Sequence, residues 1–374
     1  MSSNGRRVLV SGASFAGLSS AHWLQRLGYQ VTVVEVARGL RKGGTAVDIR
    51  GNTVDVVRRM GLFEQVRANR LSLQRWEMKN EHDVTERSLV LREEGTPPAD
   101  DEFEIERNVL LDLLFDSVKN GVEFVFDDSI TALKDAGDSV HVSFVSGPPR
   151  SFDLVFGCDG IHSAVRQLWF GDEARYMHFL GQYFSITIVD KLLIEPNTAQ
   201  MYNVPGKAVM LNAYKNKTDI ILAFASDQEI AYDYRNQQQQ RRLIEEQFVG
   251  QGWRTAELLE EVRGSNSFYF DKLCQIRMPS WTKGRVALVG DSGYCASPAA
   301  GMGGSLAIDG AAALANALRA HRGDFELAFR DYNQQFRPFI EQVQAEAVRT
   351  GLETLVPRTE EAIRARNARS EATF

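Results

Sequence analysis

The chain has 374 residues, of which 44% are hydrophobic and 25% are charged, a composition typical of a soluble globular protein with one large or two moderate domains. Its formal net charge of -6 provides no broad basic field, which argues against a nucleic-acid-binding protein. No stretch approaches about 18 uninterrupted apolar residues, and the N-terminus lacks the apolar core of a signal peptide. We therefore expect a cytoplasmic protein without a membrane span.

The cysteines and histidines show neither a disulfide framework nor a metal site. The three cysteines, Cys158, Cys274 and Cys295, lie far apart in the sequence and form no CxxC pair, and no two histidines have ligand spacing. No Ser/His/Asp or Cys/His arrangement is evident either. We therefore predict no metal ligands, identify no catalytic side chain, and expect a bound cofactor to carry the chemistry.

The first 35 residues contain a dinucleotide-binding pattern. A β-rich run from Arg7 to Ser11, a helical pattern that begins at Gly17, and a second strand that ends at Glu35 form a βαβ unit. The turn from Gly12 to Gly17 reads Gly-Ala-Ser-Phe-Ala-Gly, which is the GxGxxG fingerprint with Ser14 in place of its middle glycine. Serine adds only a small hydroxyl where a pyrophosphate approaches the backbone, so the turn is looser but still open to the ligand.

Glu35 indicates which dinucleotide the unit binds. An acid at the end of the second strand accepts hydrogen bonds from the adenosine ribose 2′-OH, and its charge repels the 2′-phosphate of NADP. The pattern therefore predicts an ADP-containing ligand without a 2′-phosphate. Strand, helix, second strand and terminal acid occur together, which favours a ligand site over a purely structural turn.

Two further segments could contact the same ligand. Residues 41–50 read Arg-Lys-Gly-Gly-Thr-Ala-Val-Asp-Ile-Arg, a small-residue loop that could either run under a flat ring or form a solvated connection. Arg107 stands at the head of a predicted helix over Val109 to Val118, where its positive charge opposes the helix macrodipole. This position favours an anionic or carbonyl partner for its guanidinium over free solvent.

A second strand-turn-helix pattern follows in the middle of the chain. The apolar run Leu154 to Phe156 leads through Gly157 to Asp159, and Ser163 is placed to cap the next helix, which carries Arg166. An acid at the tip of a buried strand is suited to a ligand, because open α/β sheets bind ligands at the carboxyl ends of their strands.

The third pattern lies near the C-terminus and is the richest in glycine. Val286 to Val289 predicts a buried strand, which Gly290 and Asp291 terminate. A glycine-rich loop then precedes a predicted helix over Ser305 to Ala320, whose N-terminus favours a negative or electron-rich group.

Together, these three patterns resemble the FAD-dependent aromatic hydroxylases of the p-hydroxybenzoate hydroxylase type. Gly12 to Gly17 with Glu35, Gly157 to Arg166, and Gly290-Asp291 followed by Pro298 and Gly301 occur in the family's order and span nearly the whole chain. The 41–50 loop and the short length are most similar to the branch that contains the tetracycline-inactivating monooxygenases. One departure is Ser292-Gly293-Tyr294, where the family often has Ala-Ala-His, and we expect it to affect local packing more than the flavin contact.

The resemblance implies an α/β fold in which a Rossmann-like FAD-binding domain carries an inserted β-sheet substrate domain and a C-terminal bridging helix. It assigns residues 1–72, 102–175 and 277–322 to the FAD-binding domain, 73–101 and 176–276 to the substrate domain, and 323–374 to C-terminal helices. Within those helices, Pro338 and Pro357 are predicted kinks or boundaries.

The resemblance also implies a set of FAD contacts. The first glycine turn would contact the pyrophosphate, Glu35 the adenosine ribose, Arg107 the flavin or its ribityl chain, and Asp291 the ribityl and pyrophosphate region. Residues 298–304 would border the isoalloxazine ring, and Asp159 belongs to a motif shared by FAD and the reductant. The expected contacts are Gly12, Ser14, Phe15, Ala16, Gly17, Glu35, Val36, Arg41, Thr45, Asp48, Arg107, Asp159, Gly290, Asp291, Pro298, Gly301, Met302, Gly303 and Gly304.

A substrate pocket is expected where the predicted sheet covers the flavin. Alternating strands between the second and third patterns predict that sheet, although alternation alone leaves open whether a given side chain lines a pocket, fills the core or faces solvent. The candidate pocket residues are Tyr183, Met210, Asn212, Phe224, Pro298, Ala299 and Gly301.

The implied activity is monooxygenation. NADPH or NADH would reduce FAD from a transient surface site, and O2 would add at flavin C4a to form a hydroperoxide that hydroxylates a phenolic, enolic or polycyclic small molecule, such as a tetracycline-like or polyketide compound. Two alternatives stay open: a flavin oxidase or dehydrogenase without oxygen insertion, and a flavoprotein that sequesters its ligand without turnover. We expect a monomer or homodimer.

Overall fold

The structure is a computed structural model that describes residues 5–92 and 102–368. Residues 93–101, which belong to the predicted segment 73–101, lie outside the described residues. Two sheets dominate the described part of the chain, one mainly parallel and one mainly antiparallel, and helices pack against both. The predicted α/β fold class is confirmed.

The elements are numbered in chain order. The strands are β1 Arg7–Ser11, β2 Gln30–Glu35, β3 Val47–Arg50, β4 Arg75–Lys79, β5 Thr85–Val90, β6 Glu102–Ile105, β7 Glu123–Phe126, β8 Ile130–Asp135, β9 Val140–Phe144, β10 Arg150–Phe152, β11 Leu154–Gly157, β12 Met177–Val189, β13 Thr198–Val204, β14 Lys207–Tyr214, β15 Lys217–Ala225, β16 Phe268–Ile276, β17 Thr282–Lys283 and β18 Val286–Leu288. The α-helices are α1 Phe15–Arg26, α2 Asn52–Met60, α3 Phe63–Ala68, α4 Arg107–Asp116, α5 Ala164–Phe170, α6 Gln237–Phe248, α7 Thr255–Gly264, α8 Asp291–Tyr294, α9 Gly303–Ala320, α10 Phe325–Glu346, α11 Leu352–Leu355 and α12 Glu360–Asn367.

The first sheet has six strands in the order β17-β18-β11-β1-β2-β7. All neighbours are parallel except β17 and β18. The central strands β1, β11 and β18 are almost completely buried, which explains why they read as continuous apolar runs. Because parallel strands end at the same edge, the three ligand-type turns that follow β1, β11 and β18 lie side by side.

The second sheet has seven strands in the order β16-β12-β15-β14-β13-β4-β5, and only β13 and β4 pair in parallel. Alternating residues between 71 and 91 indicate hairpin strands, and β4 and β5 form this antiparallel hairpin. Helices α6 and α7 cover one face of this sheet, where an apolar cluster includes Val209, Phe248 and Leu258. The opposite face carries a second cluster, which includes Met201, Leu273 and Val356.

Among the remaining strands, β8, β9 and β10 form a three-stranded antiparallel sheet. Strands β3 and β6 form a separate antiparallel pair, and α9 packs against α1, α2 and β3. The long helix α10 runs along α9 and contains Pro338 in its interior, so of the two predicted alternatives, a kink or a boundary, Pro338 is not a helix boundary. Buried Phe336 and Ile340 on either side of the proline hold the helix in place, which compensates for the lost backbone hydrogen bond. Among residues 5–92 and 102–368, no helix combines the length and apolarity needed to cross a membrane.

Candidate FAD site

The turn after β1 depends on the two outer glycines of its fingerprint. Gly12 has a φ of +101°, and a Cβ at this position would lie 2.5 Å from the carbonyl oxygen of Cys158. A Cβ at Gly17 would lie 1.8 Å from the carbonyl oxygen of Gly12. Helix α1 therefore begins in direct contact with the turn, a close approach that only glycine permits.

Both oxygens of Glu35 bind backbone amides. The Ala13 N–H donates to Oε2 at 2.8 Å, and the Ala37 N–H donates to Oε1 at 3.0 Å. The carboxylate thus holds the glycine turn and the end of β2 together, a role that the sequence did not reveal. Each carboxylate oxygen has a further lone pair, so Glu35 can still accept a ribose hydroxyl. Val36, next to it, is 68% exposed.

Arg107 joins the 41–50 loop to the glycine turn. Its guanidinium donates to the carbonyls of Arg41 and Gly43 at 3.0 and 2.9 Å, and to Ser14 Oγ at 3.2 Å. It also lies 5.2 Å from the centre of the Phe15 ring, in cation–π range. Ser14, the residue that departs from the fingerprint, is therefore an acceptor for Arg107.

The polar side chains of the second turn find their hydrogen-bond partners within the protein. The Asp159 carboxylate accepts hydrogen bonds from Ser163 Oγ, from the Val165 N–H at 3.1 Å and from Ser11 Oγ at 3.4 Å, while burial raises its pKa. Ser163 caps α5, as predicted, by accepting the Arg166 N–H at 3.0 Å. Asp159 thus organises the turn through contacts with its own neighbours.

Arg166 connects the second turn to the third. Its guanidinium is completely buried and donates to the Ser292 carbonyl at 2.9 Å and to Glu173 Oε2 at 2.6 Å. Ser292 Oγ in turn donates to the Gly157 carbonyl at 2.6 Å. Ser292 and the buried Tyr294 therefore act in packing, where the sequence departs from the resembled family.

The third turn leaves Asp291 exposed next to residues 298–304 and the 41–50 loop, and we call the surface between these three segments the recess. Gly290 has a φ of +75°, and a Cβ there would lie 3.0 Å from the Cβ of Ala16, so this turn contacts the start of α1. Asp291 follows at the start of α8 and is exposed, yet the surrounding protein raises the pKa of its carboxyl group, while the charge of Arg107 opposes that rise.

Residues 298–304 border the same recess. Pro298 begins a short 3-10 turn, Gly301 follows in the left-handed region with a φ of +63°, and α9 begins at Gly303. A Cβ at Gly303 would meet no atom within 4 Å, whereas one at Gly304 would contact Phe15 at 3.4 Å. The chain thus leaves space at the N-terminus of α9, where backbone N–H groups favour electron-rich ligand atoms.

The 41–50 loop forms another wall of the recess. Ser305 Oγ donates to the Asp48 carbonyl at 2.7 Å, which fixes β3 beside the start of α9. The Asp48 side chain lies opposite Glu104 in the β3–β6 pair. Burial raises the pKa of Glu104 to about 7, and the neighbouring Asp48 adds to the rise.

The pocket candidates separate onto the two faces of the second sheet. Tyr183 and Phe224 are 0% and 1% exposed and stack at 5.2 Å within the cluster under α6 and α7. They belong to the core of this layer and not to an open lining, because alternation placed them on the face that the helices cover. Met210 lies on the opposite face, in the cluster that includes Ala299. Asn212 lies on Met210's face and donates to Glu104 Oε1 at 3.5 Å.

Two residues near the recess were not predicted from the sequence. Glu104 had only a weak signal, the alternating acids of residues 102–106, and Tyr269 had none beyond its place in a β-rich run. The position of both residues near the recess becomes apparent only when strands distant in sequence are paired. In the described part of the chain, no group of three or more His, Cys, Asp or Glu side chains could hold a metal ion.

These residues fit FAD. Glu35 and the first glycine turn suit the ADP half of FAD. Arg107 and Asp291 suit its polar ribityl chain, and the open start of α9 suits its electron-rich ring. The space at Gly303, which a Cβ would enter without meeting protein, is the kind of cradle that such a ligand needs.

Comparison with known proteins agrees with this assignment. Residues 6–347 match the FAD binding domain family. The chain is 41% identical to an uncharacterised protein of Mycobacterium tuberculosis, with 91% of this chain and 92% of the relative covered. It is 35% identical to a flavin-dependent monooxygenase of Legionella longbeachae, with 90% and 86% covered. Its fold matches the solved structure of the tetracycline destructase Tet(51) with a TM-score of 0.87 and 33% identity, over 97% and 95% of the two chains. The chain therefore belongs to the FAD binding domain family and is an FAD-dependent monooxygenase of the aromatic hydroxylase type.

Proposed function

We propose that this protein uses NADPH or NADH and O2 to hydroxylate a phenolic, enolic or polycyclic small molecule, with tetracycline-like compounds as the first candidates. The observation that carries the proposal is the position of Ala299, just before the start of α9, in the apolar cluster on the Met210 face of the second sheet, so that the candidate cofactor residues adjoin that face. The match to the tetracycline destructase Tet(51) along nearly the full length of both chains supports the choice of compound.

The residues of the recess divide into groups with different roles. Gly12, Ser14 and Gly17 would approach the pyrophosphate, and Glu35 the adenosine ribose. Arg107 and Asp291 would hold the ribityl region, and residues 298–304 would border the ring. When bound, FAD supplies the redox chemistry that activates O2 for insertion into the substrate. We retain the division into residues 1–72, 102–175 and 277–322 for the cofactor, with 73–101 and 176–276 for the substrate, as part of the proposal.

The substrate side of the recess is polar as well as apolar. Met210 and Ala299 offer an apolar surface, whereas Asn212, Asp48 and Glu104 offer hydrogen-bonding groups. Such a lining suits a flat, apolar ring system that carries several hydroxyl or amine donors. The role of these residues would be to orient the ring and exclude water, because orientation and desolvation are the protein's contributions when a cofactor does the chemistry.

The test is a turnover assay with the purified, FAD-loaded protein. NADPH and NADH consumption and O2 uptake are measured with tetracyclines, simple phenols and polyketide-type polyphenols, and product mass is measured in 18O2. We expect substrate-stimulated consumption of the nicotinamide and one 18O atom in the product. Oxidised product without 18O would favour a flavin oxidase or dehydrogenase instead. Tight binding without nicotinamide oxidation would favour a ligand-sequestering flavoprotein.

A further inference from the structure

Tyr269 occupies an unusual position in strand β16. Its neighbours Phe268 and Phe270 are buried in the cluster under α6 and α7, at 7% and 4% exposure. Tyr269 points to the opposite face, contacts Phe184 at a ring distance of 5.7 Å, and is 40% exposed. Strand β16 is otherwise largely buried. The Tyr269 ring is therefore unusual in being partly exposed, on the face of the sheet opposite to α6 and α7.

The hydroxyl of Tyr269 has a fixed direction. It donates to Asp271 Oδ2 at 2.8 Å, and Asp271 is only 5% exposed. Asp271 also accepts the Tyr232 hydroxyl at 2.7 Å and the Lys272 N–H at 2.8 Å through Oδ1. Because the phenolic proton is used by Asp271, the Tyr269 oxygen offers only lone pairs to the open side.

The surroundings of Tyr269 belong to the cofactor recess. Helix α8, which begins at Asp291, packs against β16. A Cβ at Gly43 in the 41–50 loop would lie 4.0 Å from Oγ of Ser267, the residue just before β16. The surrounding protein raises the pKa of Tyr269 well above its ordinary value, and the charges of Asp271 and Asp291 add to the rise, so the phenol stays protonated.

Asp271 is also linked to the second turn. His162 Nε2 lies 3.8 Å from Asp271 Oδ2 and has no hydrogen-bond partner of its own, while Nδ1 of the same ring contacts Glu173 Oε1 at 3.1 Å. Glu173 in turn accepts a hydrogen bond from Arg166. The Asp271 carboxylate is thus held by the hydrogen bonds from Tyr269, Tyr232 and Lys272, with the His162 ring of the second turn beside it.

We infer that Tyr269 is a further cofactor-contacting residue, whose hydroxyl oxygen accepts a hydrogen bond from the ribityl or flavin half of FAD, and that Asp271 is the residue that positions it. The inference rests on FAD binding at the recess and not on the identity of the substrate. Its test is therefore a binding experiment that needs no turnover.

The experiment titrates the deflavinated full-length protein with two probes, FAD and ADP. Quenching of flavin fluorescence reports FAD binding, and calorimetry or competition reports ADP binding. We expect Tyr269→Phe and Asp271→Asn to weaken FAD binding by about threefold to tenfold, the effect of one hydrogen bond, with ADP affinity unchanged. Tyr232→Phe is the matched control, because it also removes a hydroxyl bound to Asp271 but its ring packs on the helix-covered side against Phe270.

The outcomes separate a cofactor contact from a structural role. Unchanged FAD affinity in Tyr269→Phe would overturn the inference, as would an equal loss of FAD and ADP affinity. If Asp271→Asn does not fold, the comparison of Tyr269→Phe with Tyr232→Phe decides the question. A protein that binds FAD as expected but hydroxylates nothing would count against the proposed function and leave this inference standing.

Discussion

The Glu35 carboxylate accepts the Ala13 N–H at 2.8 Å, and this bond couples the end of β2 to the glycine turn after β1. The same side chain accepts the Ala37 N–H at 3.0 Å. Glu35 thus shapes the place where the ADP half of the cofactor is expected to bind, in addition to offering an acceptor to the ribose.

Replacement of Glu35 should therefore weaken the binding of both FAD and ADP. Glu35→Ala removes two charge-assisted bonds to backbone amides, each of a kind that contributes about 1.5–3 kcal/mol, so we expect a loss of at least about tenfold in affinity for either ligand. Glu35→Gln keeps the shape and one oxygen and should lie between alanine and the native protein. Titration with FAD and ADP measures the effect, and native-like ADP binding by Glu35→Ala would contradict it.

Arg107 should not be replaceable by lysine. Its guanidinium reaches Ser14, Gly43 and Arg41 at once, and a single ammonium group cannot reproduce that planar arrangement of donors. We expect Arg107→Lys to lose at least about tenfold in FAD affinity, because the 41–50 loop is no longer held to the glycine turn.

Ser14→Gly is the matched comparison for Arg107→Lys. It removes only the 3.2 Å contact to Arg107 and restores the usual middle glycine, so its FAD affinity should stay within about threefold of the native value. A loss as large as that of Arg107→Lys would show that Ser14, and not the loop, is the main partner of the arginine. Fluorescence titration of the two variants side by side makes the comparison.

Gly303 and Gly17 should respond differently to added side chains. A Cβ at Gly303 meets no protein atom within 4 Å, so Gly303→Val should fold with a nearly native melting temperature but fail to retain FAD. Gly17→Ala should instead give little folded protein, because its Cβ would lie 1.8 Å from the Gly12 carbonyl oxygen. Soluble yield, thermal unfolding and flavin content distinguish the two cases. A Gly303→Val variant with full flavin content and activity would argue against a flavin at the start of α9.

Glu104 should make stability fall as pH rises. Its pKa is raised from 4.5 to about 7 in the folded protein, so between these values the folded state binds more protons than the unfolded state. The free energy of unfolding therefore decreases as pH rises through this window. Glu104→Gln removes this dependence and should stabilise the FAD-free protein by about 2 kcal/mol at about pH 8, with little change at about pH 5.

Denaturant unfolding of the FAD-free protein at both pH values checks the Glu104 prediction. Glu102→Gln is the control, because Glu102 lies on the same strand but is exposed. Equal pH dependence in the native protein and Glu104→Gln would contradict the assignment.

Local sequence patterns were sufficient for several parts of the site. The βαβ unit, the glycine turns, the Ser163 cap and the hairpin of β4 and β5 follow from short-range rules, in which the chemistry of a few neighbouring residues determines the backbone. The acids at the ends of the predicted strands also identified turns that the parallel sheet brings to one edge.

The tertiary structure alone decided which side chains face which neighbour. Alternation along β12 and β15 defines two faces of a strand, but only the docking of α6 and α7 places Tyr183 and Phe224 in the core and leaves Tyr269 on the open side. The partners of Arg107 likewise lie 64 to 93 residues away, and Arg166 reaches Ser292 across 126 residues, beyond the reach of any local rule. The sequence by itself thus determined the fold class and the cofactor-type turns, whereas contacts between distant strands and helices decided the lining of the recess.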